Sequence, residues 1–266
     1  MAGRLQGKCA IVTGAGQTPG ETIGNGRAMS LLFAREGAKV LCLDRVGERA
    51  EETAVMIRGE GGEAIALAGD VTKTADCAAA VATAQSQFGG LHILVNNVGI
   101  GGRDGPAHRV EEDAFERILA VNLTGAWKMT KAALGPMRDQ GAGAIVNISS
   151  LAAIAGGIQV AYEVSKAGVN RLTTSVAQSN AKHGVRCNAI MMGFMDTPMA
   201  IAGIAAARGE SQAAVRERRD AQVPLGGKQG TAWDTAYAAL FLASDEAKFI
   251  TGAILPVDGG MGARIG

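Results

Sequence analysis

A tyrosine and a lysine stand four residues apart in the stretch AYEVSKAG, as Tyr162 and Lys166. On a helix this spacing places both side chains on one face, roughly 5 to 6 Å apart at Cβ. A phenol with its usual pKa of about 10 is a poor base at neutral pH, but an adjacent ammonium stabilises the phenolate and lowers that pKa. The pair is therefore a candidate for proton transfer, although a YxxxK pair alone also occurs as a surface contact. The other tyrosine, Tyr237, lies in an apolar stripe with no cation at helical spacing, which indicates packing.

A glycine-rich stretch near the start, TGAGQTPGETIGNGRA (residues 13–28), has the composition of a dinucleotide-binding turn. Such a turn uses glycine where the backbone bends sharply and approaches a pyrophosphate at the N-terminus of a helix. A helix that began near Pro19 would contain Gly24 and Gly26, each at a cost of up to about 1 kcal/mol relative to alanine. We therefore predict that the turn is formed by Gly14, Gly24, Asn25 and Gly26.

In this register the helix runs from residue 25 to residue 35, and residues 15–23 form a loop of nine residues. Connections between a strand and a helix usually have about two to six residues. Two interpretations of the extra length stay open. The loop is either a longer surface connection or a second clamp in which Gln17, Thr18 and Thr22 fold over the phosphates or the ribose.

The next apolar run, KVLCLD, ends in Asp44. An acidic side chain at the end of the second strand can accept hydrogen bonds from the adenosine ribose hydroxyls, and it repels a 2′-phosphate. Asp44 therefore favours NAD over NADP. The adjacent Arg45 could reverse this preference by binding the phosphate, and Asp44 as an ordinary turn residue is the remaining alternative.

Seven short apolar runs alternate with helical patterns along the 266 residues. A content of 47% hydrophobic residues with 38 glycines suits close packing of helices on a sheet. The alternation predicts one α/β domain, residues 1–266, built on a parallel, doubly wound sheet. The seven predicted strands are 9–14, 39–44, 63–71, 92–97, 144–149, 185–191 and 253–259.

Among the helices, two are predicted to be long, at about 112–138 and 160–182. Their apolar faces either cover the sheet or pack against another subunit. A segment at about 197–222 changes from small apolar residues to a charged helical stretch, which suits a mobile substrate lid after the sixth strand. A plain surface helix is the alternative for this segment.

Charge and composition exclude several classes of partner. The formal net charge of +1 gives no electrostatic attraction to nucleic acid or to an anionic membrane. No apolar run approaches the roughly 18 residues of a membrane span, and the start MAGRLQGK lacks the apolar segment of a signal peptide. The four cysteines form no C-x-x-C pair, so we expect reduced thiols without a metal, in a cytoplasmic protein.

Further short motifs follow the glycine turn in a fixed order: GDV (69–71), NNVG (96–99), Asn122 in AVNLTG, NISS (147–150), YEVSK (162–166), MGFMDTPM (192–199) and the ending FLASDEAKFITGAILPVDGG. Taken together and in order, these motifs resemble the short-chain dehydrogenase/reductase family. The resemblance extends over essentially the whole chain and implies a Rossmann-type fold and a homotetramer built partly on the two long helices and the C-terminal strand.

The resemblance implies a catalytic tetrad of Asn122, Ser150, Tyr162 and Lys166. Tyr162 would exchange a proton with the substrate oxygen, while Ser150 hydrogen-bonds that oxygen. Lys166 would lower the pKa of the tyrosine and hold the nicotinamide ribose. Asn122, which is unfavourable inside a helix, would hold a water that links Lys166 to solvent; an irregularity in the helix is the alternative.

The same resemblance implies most of the cofactor contacts. Asp70 and Val71 would contact adenine, and the backbone of Met195 with Thr197 would hold the carboxamide. Asn97, Val98 and Gly99 would line the adenosine and ribose, and Gly193 belongs to the same motif as Met195.

Three positions depart from the family pattern. The phosphate turn is six residues longer, Met192 replaces the usual proline before Gly193, and Trp233 replaces an acidic residue. None of these removes a catalytic group. We therefore expect an NAD-dependent oxidoreductase acting on a small secondary alcohol or ketone, with direct hydride transfer and no metal. The alternatives are an NADPH-linked acyl-carrier or carbonyl reductase and a protein that senses NAD without chemistry.

Overall fold

The computed structural model describes residues 3–263. Its main feature is a seven-stranded sheet in which all pairings are parallel. The strands are β1 (Cys9–Thr13), β2 (Lys39–Asp44), β3 (Ala64–Ala68), β4 (Ile93–Asn96), β5 (Gly143–Ser150), β6 (Val185–Met192) and β9 (Ile254–Val257). Their order is β3-β2-β1-β4-β5-β6-β9, and two short strands, β7 (Met195–Asp196) and β8 (Gly230–Thr231), form a separate parallel pair.

Nine α-helices lie in the part of the chain from residue 3 to residue 263. Most of them connect consecutive strands of the large sheet. They are α1 (Asn25–Arg35), α2 (Gly47–Gly59), α3 (Thr74–Phe88), α4 (Glu112–Leu119), α5 (Gly125–Asp139), α6 (Val160–Asn180), α7 (Pro198–Arg208), α8 (Gln212–Asp220) and α9 (Ala232–Ala243).

The central strands are buried on both faces, which explains their continuous apolar runs. Successive residues of β1 point to opposite sides, so that Val12 packs in one core cluster and Ile11 in the other. The first cluster joins the sheet to α1, α2 and α9, and the second joins it to α3, α5 and α6. The predicted doubly wound, seven-stranded sheet is therefore confirmed.

The predicted third strand, 63–71, was too long at its carboxyl end. β3 ends at Ala68, and the chain then turns because Asp70 accepts hydrogen bonds from the main-chain N–H and the hydroxyl of Thr72, at 2.8 and 2.7 Å. The predicted helix from residue 25 to residue 35 is confirmed by α1. α3 ends as its sequence indicates, at Gly89 in the left-handed conformation with φ 84°.

The helical segment 112–138 is confirmed in extent but is not regular. A π-helical turn, Ala120–Thr124, joins α4 to α5. The second long helix, α6, passes directly into a 3₁₀ turn, Ala181–His183. The segment after β7 forms two helices, α7 and α8, separated at Gly209 (φ 65°).

Between residues 3 and 263, none of the helices combines the length and the apolar character needed to cross a bilayer.

Candidate active site

A cavity of about 260 Å³ lies at the carboxyl ends of the central strands. It extends from Asp44, at the end of β2, to Tyr162 and Lys166 on α6. β1 pairs with β2 on one side and with β4 on the other, so the connections diverge at this place. Doubly wound sheets bind their ligands in the crevice at such a switch point.

The glycine turn brings β1 against the start of α1 so closely that side chains would not fit. A Cβ on Gly26 would lie 1.9 Å from the carbonyl oxygen of Gly14, and Gly14 itself has φ +62°. The Asn97 amide fixes this approach, since its Nδ2 donates to the oxygens of Thr13 and Gly14 at 3.0 and 3.1 Å. The N–H groups at the start of α1 therefore face the cavity as a pyrophosphate site requires.

Gly24 and Asn25 stand at the helix start and line the cavity, as predicted. Gly24 donates its N–H to Oε1 of Gln17 at 2.8 Å. Asn25 donates Nδ2 to the sulfur of Met192 at 3.4 Å, while its buried Oδ1 has no protein partner among the described residues. Such an acceptor beside a helix N-terminus fits a cofactor that carries hydroxyl groups.

Asp44 faces the cavity with both carboxylate oxygens held by main chain. Oδ2 accepts the N–H of Gly16 at 3.0 Å, and Oδ1 accepts the N–H of Val46 at 2.9 Å. Each oxygen keeps a further lone pair for a ligand hydroxyl. Arg45 is exposed and also lines the cavity.

On the adenine side, the structure brings together Asp70, Val71, Asn97, Val98 and Gly99 in the cavity wall. Burial alone would raise the pKa of Asp70, but the hydrogen bonds from Thr72 outweigh it and the pKa is lowered. Asp70 is therefore an ionised acceptor at neutral pH.

Residues of the inserted loop, 15–23, contact both the cavity and the segment after β6. Gln17 and Thr18 line the cavity, and Gln17 braces the loop by donating Nε2 to the carbonyl of Thr22 at 3.1 Å. Thr22 does not line the cavity, and its hydroxyl donates to Oδ1 of Asp196 at 3.3 Å. Glu21 accepts a hydrogen bond from Arg216 of α8 at 3.1 Å.

Tyr162 and Lys166 lie together on one face of α6, as their spacing predicts. The lysine Nζ is 5.6 Å from the centre of the tyrosine ring and donates to the carbonyl of Ile148 at 2.8 Å. Lys166 is 2% exposed, whereas Tyr162 is half-buried at the cavity.

The predicted lowering of the Tyr162 pKa is wrong for the protein without a bound cofactor. Burial raises the pKa of the phenol, and the hydrogen bond with Ser150 opposes this only in part. Burial also lowers the pKa of Lys166 to about 8. Burial thus disfavours the charged forms of both groups.

Of the two serines that end β5, Ser150 faces the site. Ser149 is fully buried and donates its hydroxyl to the carbonyl of Lys166 at 3.3 Å. Ser150 is half-buried and accepts the N–H of Ala152 at 3.2 Å, and its hydroxyl is close enough to the Tyr162 phenol to lower the pKa of that group. The alternation of the strand places the second serine beside the tyrosine, as expected.

Asn122 lies in the π-helical turn and is 1% exposed. Its amide exchanges two hydrogen bonds with the main chain of Ile100, at 2.8 and 2.9 Å, and donates to Oγ of Ser165 at 3.0 Å. Ser165 in turn donates to the carbonyl of Tyr162 at 2.7 Å. The side chain therefore ties the loop after β4 to α6, and the helix irregularity considered from the sequence is present. π-Helical turns inside helices are frequent at functional sites.

Of the motif at the end of β6 and after it, residues 192–199, some residues line the cavity and others lie beside it. Gly193 is required by packing, because a Cβ there would lie 2.7 Å from Cα of Asp258. Met195 is buried in β7, outside the described wall. Thr197, just before α7, and Met192 do line the cavity.

Several residues of the cavity wall were not predicted from the sequence, among them Arg49, Arg117 and Val121. Arg49 lies on α2, Arg117 on α4, and Val121 in the π-helical turn beside Asn122. Nearness in sequence to Arg45 and Asn122 was the available signal, but it does not tell which side of a helix turns toward the cavity.

Comparison with known proteins gives a consistent result. The family model described as enoyl-(acyl carrier protein) reductase matches residues 21–262. A 2-(S)-hydroxypropyl-CoM dehydrogenase from Xanthobacter autotrophicus is 39% identical over 99% of this chain and 100% of its own length. A cis-4-hydroxycyclohexanecarboxylate dehydrogenase from Sinomonas cyclohexanicum is 39% identical over 95% of this chain and 96% of its own. The crystal structure of levodione reductase superposes with a TM-score of 0.92 at 30% identity, covering 98% of this chain and 100% of that chain.

Proposed function

This chain belongs to the short-chain dehydrogenase/reductase family of oxidoreductases, and we propose that it transfers a hydride between NAD(H) and a small secondary alcohol or ketone. The observation that carries the proposal is the single cavity that joins Asp44 to Tyr162 and Lys166. It gives one ligand access both to an adenosine-binding carboxylate and to a proton-transfer pair.

The residues present fit a nicotinamide dinucleotide. Gly14 and Gly26 let β1 and the start of α1 approach closely, and Gly24, Asn25 and Gly26 line the cavity at this helix N-terminus, where a pyrophosphate can bind. The remaining lone pairs of Asp44 suit the two ribose hydroxyls of NAD, and its charge opposes a 2′-phosphate. Bound NAD would accept the hydride from the alcohol carbon, or NADH would return it to the ketone.

The chain's own residues would manage the proton. In ketone reduction the neutral phenol of Tyr162, which its raised pKa favours, gives its proton to the substrate oxygen as the carbon gains hydride. In alcohol oxidation the phenolate of Tyr162 takes the proton of the hydroxyl as the carbon loses hydride. Ser150 hydrogen-bonds the same substrate oxygen and so orients it. Lys166 holds the nicotinamide ribose, and Asn122 supports the water that connects Lys166 with solvent.

The substrate side is apolar. Ile154 and Ile158 are 64% and 68% exposed on the segment between β5 and α6, and Met199 is 60% exposed at the start of α7. The nearby Arg103 is paired with Asp113 at 2.9 Å. These surroundings favour a secondary alcohol of medium size, and two relatives are named for alcohols, 2-(S)-hydroxypropyl-CoM and cis-4-hydroxycyclohexanecarboxylate.

An NADPH-linked reductase is the second candidate, because Arg45 and Arg49 both line the cavity beside Asp44. Two guanidinium groups could bind a 2′-phosphate and outweigh one carboxylate.

We also propose that the protein is a homotetramer and that α7 and α8 form a lid over the substrate. Trp127 on α5 and Val164 on α6 are each 44% exposed, so the two long helical segments present apolar surface to a second subunit. Elution of the purified protein only as a monomer in size-exclusion chromatography with light scattering would contradict the tetramer.

The function is tested with a panel of secondary alcohols, both cyclic and open-chain, assayed with NAD and with NADP at mildly alkaline pH. We expect NADH formation with several alcohols and weaker binding of NADP than of NAD. Tighter binding of NADP would reverse the argument from Asp44, and no turnover with any alcohol or ketone would contradict the proposed activity.

A further inference from the structure

The amino end of α6, which carries Tyr162, is held by a carboxylate from another part of the chain. Asp104 accepts the main-chain N–H of Tyr162 on Oδ2 at 2.8 Å and that of Ala161 on Oδ1 at 3.2 Å. The first N–H groups of a helix have no acceptor within the helix. Gln159, at the N-cap position, supplies no side-chain hydrogen bond, so Asp104 satisfies these donors instead.

The loop that carries Asp104 is fixed at both ends. At its start, Asn122 exchanges two hydrogen bonds with the main chain of Ile100. At its end, Oδ1 of Asp104 accepts the N–H of Gly105 at 2.8 Å, and the carbonyl of Gly105 accepts the N–H of Val160 at 3.1 Å. The segment thus runs from β4 to α6 as a bridge between two residues of the site, Asn122 and Tyr162.

The backbone within this bridge is strained. Arg103 has φ +55°, which makes it the one non-glycine residue with positive φ in the described part of the chain. Such a conformation persists when the surrounding structure determines it, and it concentrates at functional sites. Here the fixed positions of Ile100 and Asp104 impose it.

A second carboxylate at the same helix end has a different task. Oε1 of Glu163 accepts the N–H groups of Gly157, Ile158 and Gln159, at 2.7, 3.1 and 3.0 Å. Glu163 therefore holds the loop that carries the exposed apolar residue Ile158. Asp104 alone of the two binds the main chain of Tyr162.

We propose that Asp104 is a positioning residue that fixes the first turn of α6, so that the Tyr162 phenol stays opposite Ser150 and the substrate oxygen. The proposal rests on the proposed function for its catalytic consequence. Proton transfer requires the reacting atoms within hydrogen-bond reach, and small displacements of a catalytic group cost large factors in rate.

The kinetic test compares Asp104→Ala, Asp104→Asn and Glu163→Ala, with kcat expressed per NADH-binding site determined by fluorescence titration. We expect Asp104→Ala to lower kcat about tenfold with little change in KM or in NADH affinity. Asp104→Asn should recover only part of the loss, because its single amide oxygen can accept on the Tyr162 side or on the Ala161 side but not on both. Glu163→Ala should raise the substrate KM severalfold and change kcat less than twofold.

A second readout needs no turnover. The chain has two tyrosines, so in a Tyr237→Phe background the ultraviolet titration of tyrosinate reports Tyr162 alone. Lys166 and Ser150, the polar side chains beside its ring, are the same in every variant. Because burial raises the pKa of Tyr162, loosening the first turn with Asp104→Ala should move the titration to lower pH. Glu163→Ala should leave it near the parent value, and Asp104→Asn should lie between the two.

Two results would overturn the positioning role. In one, Asp104→Ala keeps the parent kcat per site and the parent titration; in the other, Glu163→Ala lowers kcat and moves the titration as much as Asp104→Ala does, which would show that the hydrogen bonds of Asp104 to the first turn have no particular effect on Tyr162. If the parent enzyme turned over no alcohol, the proposed function would fail, and the tyrosinate titration would still decide the role of Asp104.

Discussion

The two halves of the cavity are built by different means. On the nucleotide side, close approaches of main chain set the geometry, as at Gly14 and Gly26, where a Cβ has no room. On the alcohol side, buried or half-buried side chains set it, among them Asn122, Lys166 and Asp104. The nucleotide side therefore tolerates almost no added atoms, while the alcohol side depends on which polar groups are paired and how deeply they are buried.

The inserted loop connects these halves. Glu21 and Thr22 come from the glycine-rich side, and they contact Arg216 of α8 and Asp196 of β7, at the base of the segment that we propose as a lid. Arg216 also donates to Asp196 at 2.9 Å. Of the two interpretations of the loop, the clamp over the cofactor stays a prediction for Gln17 and Thr18, whereas Thr22 contacts the lid base.

The largest effect is expected from Gly26→Ala, which tests whether close main-chain contacts set the geometry of the nucleotide side. The new Cβ would meet the Gly14 oxygen at 1.9 Å, so β1 or α1 must shift. We expect NAD affinity to fall by at least tenfold and the free energy of unfolding to fall by about 1–3 kcal/mol. Calorimetric NAD binding and urea unfolding measure the two quantities.

Gly59→Ala is the matched control, because a Cβ at the end of α2 meets nothing within 4 Å. It should leave NAD binding unchanged and unfolding neutral or slightly improved. Wild-type NAD affinity in Gly26→Ala would show that main-chain proximity does not set the phosphate site.

A second large effect is expected from Lys166→Met, which should raise the free energy of unfolding where Gly26→Ala lowers it. Turnover should be lost, but the cofactor-free protein should become more stable at pH 7, by up to about 3 kcal/mol. The reason is that burial lowers the pKa of Lys166 from 10.5 to about 8, so the folded state disfavours the ammonium.

The pH dependence of this stability difference tests whether the buried charge of Lys166 causes it. Between about pH 8 and 10.5 the unfolded chain binds the lysine proton more tightly than the folded protein does, so wild-type stability rises with pH in this window. The advantage of Lys166→Met should thus be largest below pH 8 and shrink towards pH 10.5. Lys131→Met, at an exposed position, should show no such trend; an advantage of Lys166→Met that is independent of pH would contradict the buried charge.

The smallest effect is expected from Arg216→Ala, at the contact between the halves. Its ion pairs with Asp196 and Glu21 are only partly shielded from solvent, and such pairs contribute about 0.2–1 kcal/mol. We expect the substrate KM to rise about two- to fivefold, more at low salt than at high salt, in steady-state assays.

Arg208→Ala, which removes a looser pair with Glu210 at 4.0 Å on the same lid segment, should change KM less than twofold. Equal effects of the two substitutions would mean that the contact with the inserted loop does not seat the lid.

The sequence predicted the nucleotide side of the cavity, where main-chain contacts set the geometry, better than the alcohol side, where buried side chains set it. Glycine spacing and the regular pattern of residues 25–35 determine the start of α1, and apolar runs determine the seven strands. By contrast, the raised pKa of Tyr162 depends on how far α6 is buried, which helical spacing does not contain. Asp104 lies 58 residues from the N–H that it accepts, and a contact between such distant residues leaves no local pattern in one sequence.

The most direct test of the account is the turnover of Tyr162→Phe beside Tyr237→Phe, with one responsive alcohol, NAD, and NADH affinity measured in both. Tyr162→Phe keeps the ring and removes only the proton-transferring hydroxyl. We predict that kcat falls about 10²- to 10⁴-fold while NADH affinity stays within a factor of two, and that Tyr237→Phe matches the wild type. A Tyr162→Phe enzyme with kcat close to that of Tyr237→Phe would contradict the assignment of Tyr162 as the group that exchanges the substrate proton.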